Sequence, residues 1–184
     1  MDETIEEQKE LLAKPTKEIF EIAKKRIGIE TKSIPGRYPV EYDPIRRFCH
    51  MRDDANPLFL DPAYAKKAGY KDVVCPPLLV GYFAGPGVWP PSDAGPRMMA
   101  IPILPPSAAQ DSPRSSINMA TEYEFFKPVT VGDRLSSKSR IGDVYMKPIK
   151  RDPEALWQVI ENIITNQDGE VVCIAKTINV GWKR

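Results

Sequence analysis

Asp54-Ala55-Asn56-Pro57-Leu58-Phe59-Leu60-Asp61 sets two carboxylates and a side-chain amide on either side of a proline turn. A carboxylate there can draw a proton from water, but adding that water to a substrate also needs a group that returns a proton to the product. The phenyl ring of Phe59 has no titratable atom. The only histidine, His50, stands four residues before Asp54, on the other side of the motif, where a surface or packing role fits it better than that of a base. Asp54 therefore reads either as the remnant of an acid–base site or as a turn anchor, and Asn56 and Asp61 read as caps that keep the loop's shape. Further on, Cys75-Pro76-Pro77 opens an apolar run from Leu78 to Ala84 that includes Tyr82. Backbone N–H groups at Leu78 and Leu79 can point at a carbonyl oxygen there, as helix N-termini do for anions, or the run is an ordinary buried helix start.

Other chemistries find little support. Three cysteines, Cys49, Cys75 and Cys173, are odd in number and widely spaced within apolar or helical patterns, which favours reduced, buried thiols over a disulfide framework. One histidine with scattered cysteines makes no zinc site, Asp53 and Asp54 are too few for a magnesium cage, and no glycine-rich nucleotide fingerprint occurs, so no metal or cofactor is expected. Twenty-six basic residues against twenty-five acidic ones give a net charge of +1, so nothing global draws the chain to nucleic acid or an anionic membrane. The acidic start and the absence of a bilayer-length apolar run lead us to expect a cytoplasmic protein.

The elements that must position these residues follow from periodicity. After Pro15, with Thr16 as the expected cap, Ile19, Phe20, Ala23 and Ile27 repeat at helical spacing and Gly28 offers a left-handed stop, while the Lys24-Lys25-Arg26 run reads as a solvated face. Pro44 opens a helix marked by Ile45, Phe48 and Met51, and Asp61-Pro62 starts another that ends at Gly69. The Leu78–Ala84 run is apolar on every side, which predicts a helix surrounded by other structure and stopped at Gly85-Pro86-Gly87. From Pro86 to about Ser116 a proline-rich connection carries exposed-looking Trp89, Arg97 and Arg114, and its length suggests a segment that borders a cavity. Met119, Thr121, Tyr123 and Phe125 then line one face of a strand that stops at Lys127-Pro128. Leu135 to Val144 reads as a polar, edge-like strand, and Leu156–Thr165 and Val171–Trp182 as β-branched strands joined through Gln167-Asp168-Gly169. Helices first and an antiparallel sheet afterwards predict an α+β fold, with a helical extension over 1–30 and one domain over 31–184.

The motif at 54–61, followed by Gly69-Tyr70, Cys75-Pro76-Pro77, Phe125-Phe126-Lys127-Pro128-Val129, Val131-Gly132-Asp133 and the Asn166-Gln167-Asp168-Gly169 turn, resembles the MaoC-like (R-specific) enoyl-CoA hydratases and 3-hydroxyacyl dehydratases over roughly residues 38–182. The resemblance implies a hotdog fold, an antiparallel sheet wrapped around a central apolar helix. It also implies an acyl-CoA thioester as substrate, with CoA entering as part of that substrate. In the family's signature an Asp and a His together activate water; here Phe59 stands at the His position and Asp54 at the Asp position.

The family also contains degenerate halves that have lost this pair and shape the acyl channel beside a catalytic partner. The resemblance therefore implies a non-catalytic subunit of a heterodimer or heterotetramer, acting with a catalytic hotdog hydratase subunit on a long, branched or polycyclic acyl group. Pro77, Leu78, Leu79 and Tyr82 are its candidate substrate-binding residues. Two alternatives remain open: a self-sufficient homodimeric hydratase or thioester hydrolase working through other residues such as Asp54, and a non-catalytic acyl-CoA binding module. Lys66, Lys67, Lys71, Arg97 and Arg114 are available to the CoA phosphates, but surface solvation is the stronger reading and none is assigned as a ligand.

Overall fold

A computed structural model describes residues 10–87 and 112–184. Trp89 and Arg97 lie outside the described residues. The β-branched and aromatic segments form a five-stranded antiparallel sheet in the order β1-β3-β4-β5-β2. Its strands are β1 (Ile34–Pro35), β2 (Arg114–Phe125), β3 (Ser136–Met146), β4 (Leu156–Thr165) and β5 (Val171–Lys183). The β4–β5 hairpin closes as its turn residues predict. Asn166 Oδ1 accepts from the backbone N–H groups of Asp168 and Glu170, and Gly169 takes φ +77°. The polar strand β3 is not the sheet's edge: β1 pairs with its outer side, and bridges from Ile27 and Glu30 to Ile141 and Arg140 extend that cover. At the other end of the sheet, β2 pairs only with β5 among the described residues.

The helices precede β2 in sequence. They are α1 (Thr16–Lys24), α2 (Tyr42–Met51), α3 (Pro57–Leu60), α4 (Pro62–Lys67) and a 3₁₀ turn at Pro77–Leu79 that runs into α5 (Val80–Phe83). The main core joins Ile45 and Cys49 of α2 and Leu79, Val80 and Phe83 of the central helix to Leu135, Ile164, Val172 and Cys173. Gly36 lets the chain pass close to this helix, because a Cβ there would lie 2.1 Å from the Phe83 carbonyl oxygen. A second cluster packs Ile19 and Ala23 of α1 against Ile141, Val144 and Leu156.

Several expectations are corrected by packing. Arg114 is not an exposed loop cation: it opens β2, is 1% exposed, and donates to the carbonyls of Leu12 and Lys14 and to Thr16 Oγ1. Thr16 is therefore occupied by that guanidinium and does not cap α1, whose N-cap is Pro15. In α2, Cys49 is buried one turn after Ile45 and Met51 is exposed. Ile27 lies beyond the end of α1 and is 40% exposed. The central helix is only partly enclosed. Leu79, Val80 and Phe83 face the core, while Leu78 (57%) and Tyr82 (68%) are open to solvent, because the helix covers the sheet with one side and nothing described lies over the other.

Candidate functional site

Between the central helix and the sheet lies a cavity of about 730 Å³. Pro77, Val80, Tyr82 and the Gly85-Pro86-Gly87 stop line one side, and Ser137 and Ser139 of β3, Asn162 and Ile164 of β4, Cys173, Ala175 and Thr177 of β5, and Thr121 and Tyr123 of β2 line the other. Strand pleating explains the selection: alternate residues of each strand face the cavity, and cross-strand register sets Ser139 opposite Asn162, Asn162 opposite Ala175 and Ala175 opposite Tyr123. A third wall comes from Thr31, Ile34, Arg37, Tyr38 and Glu41. Two hydrogen bonds fix the helix end to the other walls, Ser137 Oγ donating to the Ala84 carbonyl (3.0 Å) and Arg37 Nε to the Pro86 carbonyl (3.0 Å).

Of the candidate substrate residues, Pro77 and Tyr82 line this cavity, and Leu78 and Leu79 are not among its lining residues. The Leu79 N–H donates to the Pro76 carbonyl (2.9 Å) within the 3₁₀ turn, so the helix start does not present two free N–H groups to a ligand oxygen. Asp54 and Phe59 stand apart from the lining. Asp54 Oδ1 accepts from the Asn56 N–H (3.1 Å), Asn56 Oδ1 from the Leu58 N–H (3.1 Å), and Asp61 Oδ1 from the N–H groups of Ala63 (2.8 Å) and Tyr64 (3.2 Å). These turn and cap bonds hold the loop, and the Phe59 ring packs against the main core. His50 is exposed at the end of α2.

The thiols are buried and held protonated. Burial pushes Cys75 up to about 12, helped by neighbouring Cys49, and burial alone pushes Cys173, in the cavity wall, up to about 11. Cys49 is raised too, by burial first and by the Asp54 carboxylate second. None of the three is a nucleophile near neutral pH. Missed from the sequence were the strand residues Ser139, Asn162, Thr177 and Thr121, whose polar side chains look like a solvated face until the sheet is folded over the helix. The alternation signal was present; what hid them was their polarity.

The FAS1-like dehydratase domain region matches residues 25–175. The chain belongs to this family. Among curated relatives it is 32% identical over 111 residues to a UPF0336 protein of Thermobifida fusca, covering 60% of this chain and 65% of that one. It is 25% identical over 139 residues to a probable enoyl-CoA hydratase alpha subunit of Thermomonospora curvata, covering 74% of this chain and 43% of that one. Among solved structures it shares its fold with the ChsH1–ChsH2 complex of Mycobacterium tuberculosis (TM-score 0.65, 18% identity, 91% of each chain). A MaoC-like dehydratase of Rhodospirillum rubrum has the same fold (TM-score 0.56, 21% identity, 83% and 92% of the two chains). The family chain is thus a MaoC-like hotdog, as its motifs implied, and the fold is α+β. Among the described residues no helix is long and apolar enough to cross a membrane.

Proposed function

We propose that this dehydratase-family chain is the non-catalytic, substrate-shaping subunit of a heteromeric enoyl-CoA hydratase or 3-hydroxyacyl-CoA dehydratase. The observation that carries the proposal is the state of the motif loop: Phe59, which the resemblance sets at the family's His position, packs against the core, and the Asp54 carboxylate accepts a turn hydrogen bond from Asn56. A water addition needs a base to take a proton from water as its oxygen bonds to C3 of the 2-enoyl thioester, and an acid to deliver a proton to C2. In this reading both groups come from the partner, and this chain supplies the wall along which the acyl group lies. The cavity of about 730 Å³ between helix and sheet has room for a bulky or long acyl group. A cytoplasmic setting suits the three reduced, buried thiols.

Two further observations support a partner. Among the described residues Leu78, Tyr82, Tyr123 and Phe125 are each more than two-fifths exposed, and the Tyr123 and Phe125 rings stack on one another. The similar ChsH structure is itself a complex of two different chains. The test is hydration of a panel of 2-enoyl-CoA thioesters by the purified chain, alone and co-expressed with a hotdog subunit that retains the Asp and His. Turnover only in the mixture is expected. Robust hydration by this chain alone would sink the proposal, and tight thioester binding without turnover in either sample would favour a binding module.

A further inference from the structure

On the side of the strands opposite Ser139, Asn162, Ala175 and Thr121, a row of charges crosses every long strand, with Lys138 of the row also reaching the cavity lining. Glu30, bridged to Arg140, forms ion pairs with Lys138 (2.6 Å) and Arg140 (3.7 Å); Arg140 pairs with Glu161 (2.7 Å), and Glu161 with Lys176 (3.9 Å). Lys176 stands directly opposite Glu122 of β2. The signs alternate from one side of the sheet to the other and end on a carboxylate of β2, which among the described residues pairs only with β5, with Glu124 two residues along on the same face. A strand added beside β2 would continue the row, and opposite charges directly across a strand pair are favourable whereas like charges are not.

A second copy of this chain does not supply the missing cation. When two β2 strands pair antiparallel in one continuous sheet, residues facing the same side lie opposite one another. The positions of β2 available for this beyond its bulge at 118–120 are Ala120, Glu122 and Glu124, then Phe126. The strand's only basic residue, Arg114, is buried and bonded to Leu12, Lys14 and Thr16, and Lys127, just past the strand, pairs with Glu170. Registers of two copies centred on Glu122 to Glu124 therefore set glutamates against glutamates or against Ala120 and Phe126, and none supplies a free cation opposite them from the described strand.

We propose that the β2 edge is built for a different hotdog chain whose edge strand carries lysine or arginine opposite Glu122 and Glu124, and that these two carboxylates disfavour self-pairing. The proposal rests on the heteromer reading in taking β2 as the docking edge, and it adds the chemistry by which the partner is chosen.

The test uses the chain as its own probe. A Glu122→Lys/Glu124→Lys copy, together with a Glu124→Lys copy whose altered position faces Ile174 and leaves the Glu122–Lys176 pair intact, is checked for folding by thermal unfolding and mixed with the unaltered chain. Association is measured by sedimentation at low and high salt, with hydrogen exchange reporting protection of the β2 amides. The mixed pair sets Lys against Glu in the registers that center on these positions. It is expected to associate at least about tenfold more tightly than the unaltered chain with itself, with new protection at residues 117–125, and to lose most of that gain in 0.5 M salt, on the order expected when exposed charges are screened. A Glu122→Gln/Glu124→Gln copy is expected to self-associate more tightly than the unaltered chain and to show little salt dependence. A mixed pair no tighter than the unaltered chain, or strong self-association of the unaltered chain through β2, overturns the inference. The hydratase reading fails separately, on the turnover assay, whatever this association shows.

Discussion

At the scale of single residues, Phe59 and the thiols carry separate predictions. Phe59 is partly buried and packs against the main core. Phe59→Ala is expected to lower stability by about 2 kcal/mol, the lower part of the range for large-to-small changes because the ring is not fully enclosed. Urea unfolding checks it, and hydration by the assembled complex should survive under conditions where the variant is folded. The three thiols predict a pH dependence. Their folded values lie above the ordinary 9.0, at about 12 for Cys75 and about 11 for Cys173. A raised value means that the folded state holds the proton more tightly than the unfolded chain. The contribution is therefore complete below pH 9 and is lost as pH rises from there through 11 and 12. Stability measured by denaturant midpoints should fall across that alkaline window, and Cys173→Val should make the fall shallower. Iodoacetamide should label Cys173 slowly at pH 8 and faster as pH approaches 11.

At the scale of elements, two close contacts hold the cavity and the N-terminal helix in place. Gly36→Ala would drive a Cβ to 2.1 Å from the Phe83 carbonyl oxygen, a backbone atom that cannot swing aside. A loss of about 3 kcal/mol or more is expected, at the upper end of overpacking, together with displacement of the central helix that forms one cavity wall. Thermal unfolding reads the loss, and near-UV circular dichroism of the aromatic residues reads the displacement. Arg114 ties the chain before α1 to the start of β2 through bonds to Leu12, Lys14 and Thr16. Arg114→Ala leaves two carbonyls and a hydroxyl without their donor, and about 3 kcal/mol of destabilisation is expected. Proteolysis near residue 14 should accelerate more than cleavage within β3–β5, since α1 depends on this contact and the sheet does not.

At the scale of the whole molecule, the helix face and the sheet edge that no described residue covers both border the cavity, through Tyr82 on one and Thr121 and Tyr123 on the other. In the proposed heteromer a partner that covers them would also close the cavity, and assembly would then be coupled to substrate binding. Replacing Tyr82 or Phe125 by Ala is expected to weaken the complex with a catalytic hotdog subunit by about 1–2 kcal/mol each, the range of aromatic anchors at an interface. Hydration should fall at low protein concentration and recover when the subunits are concentrated. Loss that persists at saturating concentration would instead assign these rings to the substrate.

Much of this protein was legible in the chain itself because its signals are local. Asn56, Asp61, Gly69 and the Asn166–Gly169 turn act on backbone atoms one to four residues away, so helix starts and the β4–β5 hairpin could be read from residue types and spacing. The ordered motifs likewise fixed the family. What depended on residues far apart in sequence was out of reach: Arg114 looks exposed until Leu12, Lys14 and Thr16 surround it, and Ser139, Asn162 and Thr177 look solvated until strand register lines them along one cavity. The all-apolar run at 78–84 suggested enclosure, yet only the packing of helix on sheet determined that Leu79 and Phe83 turn inward while Leu78 and Tyr82 remain open. Side-chain polarity sets the cost of exposing or burying a residue, and only the assembled neighbours determine which of the two each residue meets.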